Sequence, residues 1–195
     1  MIKAILSVVS IIVLTSTTLF SQEFKVDTKA SQLKWRGEKV TGEHWGYVDL
    51  KSGSLTVENG KLTDGEFATD MSTITVKDLE PGEWNDKLLG HLKSDDFFSV
   101  AKHPESTFDI RIVKDLGNNK VKITGDLTIK GIKKQISFVA TYKIQGDKIT
   151  AEADMVVDRT RYDIQYGSGS FFDSLGDKTI YDDFTLSIKI VAKKS

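Results

Sequence analysis

Residues 121–130 read Val-Lys-Ile-Thr-Gly-Asp-Leu-Thr-Ile-Lys. Val121, Ile123, Gly125, Leu127 and Ile129 fall on one face of an extended chain, and Lys122, Thr124, Asp126, Thr128 and Lys130 fall on the other. A strand patterned this way has one dry side and one wet side, as in an antiparallel sheet that buries a single face.

The same parity continues outward in both directions. Phe108, Ile110 and Ile112 precede the run; Ile136, Phe138, Ala140, Tyr142 and Ile144 follow it, then Ile149, Ala151, Ala153, Met155 and Val157, and finally Phe184, Leu186, Ile188 and Ile190. Earlier strands are expected around residues 24–29, 31–40, 43–50, 53–58 and 62–76, with Asn59-Gly60 and Gly146-Asp147 as hairpin turns. Eight or more short antiparallel strands make a sandwich or a closed barrel. Closure removes exposed edges and leaves an interior, so the expected fold is all-β, a single eight-stranded antiparallel barrel.

Two segments break the alternation. Trp84, Leu88, Leu89 and Leu92 recur at helical spacing within residues 83–92, which predicts a short amphipathic helix against the barrel. Residues 167–177 are rich in glycine and serine around Phe171 and Phe172, the composition of a cap or entrance loop.

Met1, Ile2 and Lys3 lead into an apolar run over residues 4–14 and small polar residues up to Ser21, the layout of a secretory signal peptide over residues 1–21. The run is short of the roughly 20 residues that a spanning helix needs, so no stable membrane anchor is expected. Cleavage leaves a domain at 22–195, and an exported, periplasmic location follows, with the extracellular space as the other destination. The chain has no cysteine, so its core must hold without disulfides. Its formal net charge of -1 offers no basic excess for nucleic acid or an anionic surface.

Residues 87–110, KLLGHLKSDDFFSVAKHPESTFDI, and 121–138, VKITGDLTIKGIKKQISF, together resemble the signature of the YceI-like, polyisoprenoid-binding family. Other stretches are similar too: Val40-Thr41-Gly42 with His44 and Gly46, Phe67 with Asp70 and Ser72-Thr73-Ile74, and Asp158-Arg159 with Tyr162, Asp163, Ile164 and Tyr166. Trp45 departs from the small or polar residue expected between His44 and Gly46. The resemblance implies a lipocalin-like barrel that carries an isoprenoid-type lipid, an isoprenoid quinone or a similar amphiphile. It implies no catalysis and no cofactor beyond such a bound lipid, and it leaves a homodimer open.

If the apolar face is the inner one, parity nominates Phe108, Ile110, Ile123, Leu127, Ile129, Phe138, Met155, Val157, Phe184 and Leu186 as cavity residues, with Trp35 and His44 from the early strands. In a solid barrel the same residues simply fill the core. Phe97 and Phe98 could stack along a lipid chain or plug a helix-to-strand turn, and being adjacent they are expected to point different ways. Arg159 or Arg161, at a strand end before the glycine-rich loop, could grip a pyrophosphate or quinone head group by a forked contact, or pair with Asp158, Asp163 or Asp183. His44, His91 and His103 lack the close spacing of a metal motif. Gly167-Ser168-Gly169-Ser170 lacks the strand-to-helix context of a nucleophile elbow. The competing functional reading is an interaction or stress-response module with a solid barrel, anchored on a partner protein by Trp45, Tyr47 and Trp84.

Overall fold

The computed structural model describes residues 21–195; the expected leader lies outside them except for Ser21. In chain order the elements are β1 (Ser21–Val26), β2 (Gln32–Lys39), β3 (Gly42–Glu58), β4 (Lys61–Asp70), α1 (Glu83–Lys93), β5 (Glu105–Gly117), β6 (Lys120–Ile129), β7 (Ile132–Gln145), β8 (Lys148–Asp158) and β9 (Ile180–Lys194). From β2 to β9 each strand pairs antiparallel with the next, and β9 returns to β2 to close the ring. β1 runs in the same direction as β2 and lies between the same two neighbours, β3 and β9. The pair is one barrel strand interrupted at residues 27–31, and the barrel has eight strands.

The interruption has its own chemistry. The backbone carbonyl of Asp27 accepts from Ala30 N and Ser31 N, making a tight turn, and Ser31 Oγ accepts from Val191 N at 3.0 Å to rejoin β9. Three hairpins turn through positive φ, at Asn59-Gly60, Asn118-Asn119 and Lys130-Gly131. Gly146 does the same before Asp147.

Inner-face residues alternate as expected on β6 to β9. Three expectations are corrected. Residues 43–50 and 53–58 form one continuous strand, β3, because the irregularity between Leu50 and Ser52 only shifts its register against β4. The strand expected to reach residue 76 ends at Asp70, whose carboxylate accepts from Ser72 N and Ser72 Oγ and so caps a short 3-10 turn. Ile112 faces solvent, 59% exposed, because a bulge between Ile110 and Ile112 reverses the parity and turns Val113 toward the core instead.

Beyond Asp70 the chain crosses one end of the barrel as a lid. Thr75 N and Lys77 N donate to Tyr47 O and Trp45 O, each at 2.8 Å, so the segment lines up along the upper half of β3. The lid passes so close to Gly46 that a Cβ there would lie 1.8 Å from Thr75 O. α1 follows, expected at 83–92 and found at Glu83–Lys93, with Leu92 buried beneath it. Met71, Ile74, Val76, Val100, Tyr162 and Ile164 complete the closed upper end. At the opposite end Phe24, Val57, Val121, Ile149 and Ala192 are buried as a plug.

Candidate functional site

Between lid and plug lies an apolar cavity of about 140 Å³. Its lining is apolar except for Thr69, Ser106, Thr107 and Glu152 and the polar atoms of Trp35 and Tyr142. Two of these groups are already engaged, Ser106 Oγ donating to Thr128 O at 2.7 Å and Trp35 Nε1 to Thr75 O at 3.0 Å. Such a chamber can shelter hydrocarbon and offers little to a polar solute.

Trp35, Phe98, Phe108, Ile110, Ile123, Leu127, Ile129, Phe138, Met155, Val157, Phe184 and Leu186 all line this one cavity. Within it Phe98 meets Phe184 edge to face at 6.3 Å, and Phe108 meets Phe138 at 5.5 Å. Phe108 also lies over Gly125, where a Cβ would come within 2.4 Å of its ring.

Three nominated residues lie elsewhere. His44 is on the inner parity but at the far tip of β3, where its Nδ1 is 2.7 Å from Asp78 Oδ2 in the lid segment. Asp78 also accepts from Trp45 N, and although burial opposes its charge, these donors hold its carboxyl below the ordinary carboxylate value. Phe97 points away from the cavity into a cluster with His91 and Tyr166, at 4.8 and 5.8 Å, so the adjacent phenylalanines do diverge.

Arg159 is the third. Only 4% exposed, it donates to Ile164 O at 2.7 Å and to Ile180 O and Tyr181 O at 3.0 Å each. Its nearest carboxylate is Asp182, at 3.6 Å, and none of the three expected aspartates. Burial pulls the guanidinium below its ordinary pKa. The side chain staples the 159–180 connection to β9 from a buried position.

The feature that sequence reasoning missed is the seam between β7 and β8. Their ladder runs from Gln145–Lys148 to Ala140–Ala153 and stops. Above it Ile132–Val139 pair only with β6, and Asp154–Asp158 only with β9, among the described residues. The wall is therefore unzipped over its upper half. Phe138, Met155 and Val157 lie behind the gap, and Val139 and Val156 stand outside it, 50% and 57% exposed. Arg161 Nη2 spans the top of the gap, donating to Gln135 O at 3.3 Å.

The remaining marked groups are dispersed. His91 reaches Asp96 and His103 packs near Gly131; no three His, Asp or Glu side chains converge among the described residues. Trp84 is 70% exposed on α1, whereas Trp45 is partly covered, with Lys34 Nζ 4.1 Å above its ring.

Known proteins match this architecture. A UPF0312 protein of Pseudomonas putida is 28% identical over 141 residues, 68% of each chain, and one of Vibrio campbellii is 29% identical over 164 residues, 77% of this chain and 82% of its own. Among solved structures, BcnA of Burkholderia cenocepacia superposes with a TM-score of 0.68 at 19% identity, covering 85% of this chain and 98% of its own. A polyisoprenoid-binding domain from Saccharophagus degradans, implicated in plant cell wall breakdown, gives 0.64 at 13% identity, over 88% and 98%. At such identities these two likenesses establish the shared barrel. The YceI-like domain model matches residues 24–192, nearly the whole described structure, and the chain belongs to the YceI-like family.

Proposed function

We propose that this protein is an exported carrier that holds the hydrocarbon part of a long-chain isoprenoid, isoprenoid quinone or similar amphiphile inside its barrel. The observation that carries the reading is a closed barrel whose inward-facing residues do not fill it. Phe138, Tyr142, Phe184, Leu186 and Ile188 face inward on the cavity wall yet are only partly buried. The polyisoprenoid-binding domain with the same fold supports an isoprenoid-type cargo. The leader-like sequence at the N-terminus supports export to the periplasm.

Affinity in such a chamber comes from the tail. At roughly 0.3 kcal/mol per heavy atom, about 30 sheltered carbons contribute on the order of 9 kcal/mol, a sub-micromolar affinity. Mass spectrometry of organic extracts from protein purified without detergent from its native host tests the reading. A stoichiometric long-chain lipid is the expected result. An empty extract that stays empty after soaking with long-chain prenols would count against it.

A further inference from the structure

Both ends of the barrel are shut. The plug of Phe24, Val57, Val121, Ile149 and Ala192 is buried at one end. At the other the lid is fastened by Trp35, and Lys130 Nζ ties the β6–β7 turn to Asp163 O and Asp95 O at 2.8 and 3.2 Å. A cargo that occupies the cavity needs another way through the wall.

The half-open β7/β8 seam offers one. Opening an intact strand pair would break several ladder hydrogen bonds, whereas here none exist above Ala140 and Ala153. The seam is apolar in depth, with Val139 and Val156 outside and Phe138 and Met155 within. Two cations stand at its upper rim. Lys134 has the inner parity of Ile136 and Phe138 but is exposed, and Arg161 reaches the neighbouring Gln135 carbonyl. Among the described residues the Lys134 ammonium makes no hydrogen bond, and neither cation forms a salt bridge.

Resting on the carrier reading above, we propose that cargo passes sideways through the β7/β8 seam, and that Lys134 and Arg161 hold an anionic head group, a phosphate or carboxylate, at its rim. The tail then runs inward past Phe138 and Met155, and the charge stays in water at the surface. The buried Arg159, held by three backbone carbonyls, takes no part.

Because the chain has no cysteine, a single introduced thiol labels one place. Val156→Cys puts a bulky maleimide at the seam; Ile112→Cys puts the same group on the outer face of β5. Uptake of geranylgeranyl monophosphate and of geranylgeraniol is followed for both labelled proteins, and affinities are compared for wild type, Lys134→Gln and Arg161→Gln. The expected results are uptake at least about tenfold slower with the label at 156 than at 112, and a loss of about tenfold in phosphate affinity per neutralised cation with prenol affinity unchanged. Equal uptake by the two labelled proteins overturns the proposal, as does a phosphate-to-prenol ratio untouched by both substitutions. If neither probe binds wild type, the carrier reading itself fails, a different outcome from either of these.

Discussion

The indole of Trp35 donates its Nε1–H to the carbonyl of Thr75 at 3.0 Å, directly over Gly46, so a cavity-lining ring is also the latch of the lid. Wall and cover are thereby one unit. Trp35→Phe keeps most of the apolar wall and removes the latch. We expect a loss of about 1 kcal/mol in stability and faster amide exchange at Thr75 and Lys77, with exchange in the β6 strand unchanged. Uniform acceleration throughout the barrel would show that the latch is global and not local.

Arg159→Met should be far more damaging. It strips the donors from the carbonyls of Ile164, Ile180 and Tyr181 in a buried setting and leaves Asp182 without its nearby cation. Orphaned buried acceptors cost about 1–3 kcal/mol each, so a loss of roughly 3 kcal/mol or more is expected from urea unfolding. A head-group role would predict weaker binding with normal stability, the opposite pattern.

Ala153→Leu discriminates a hollow barrel from a packed one. In a tight core the added bulk costs about 1–3 kcal/mol. In this chamber the side chain enters unoccupied space, so stability should hold or rise while long-chain lipid affinity falls. Thermal unfolding together with lipid titration reads both.

Acid sensitivity follows from Asp78. Its folded carboxyl lies below the ordinary 3.8, held there against the cost of burial by Trp45 N and His44. A carboxylate depressed by folding contributes its stabilisation fully above its unfolded pKa, and that contribution is lost as pH falls through the lower folded value. The contribution is therefore in place at neutrality and is lost progressively below about pH 4. Asp78→Asn should lower the urea midpoint at pH 7, and its gap from wild type should close as the pH drops below that point. A gap independent of pH would assign the effect to something other than the carboxylate charge.

Alternation made the barrel legible because β6, β8 and β9, and β7 from Ile136 on, each turn one apolar face inward. Eight of the twelve nominated residues that line the cavity lie on these four strands; Trp35, Phe108 and Ile110 come from β2 and β5, and Phe98 from the loop after α1. Parity fails where the backbone changes step. Ile112 follows a bulge, and nothing in the local residue types of 110–112 marks it. Lys51-Ser52-Gly53 resembles a turn, yet the strand continues because its irregularity is absorbed against β4. His44 has the right parity at a height where the lid has replaced the interior. The seam is invisible for a deeper reason: β7 and β8 alternate without fault, and how far two strands stay zipped is a property of the pair and of neither sequence alone.

The return of β9 to β2 sets an order of events for the newborn chain. Ser31 and Val191 exchange hydrogen bonds across 160 residues, and Lys193 meets Asp27 across 166. Loop closure on that scale makes folding slow compared with a chain of local contacts. A polypeptide emerging N-terminus first, from a ribosome or across a bilayer, holds its first strand without a partner on one side until its last fifteen or so residues arrive. Until then its apolar interior is open sheet, and shortening the C-terminus by a few residues should leave a sticky, aggregation-prone chain.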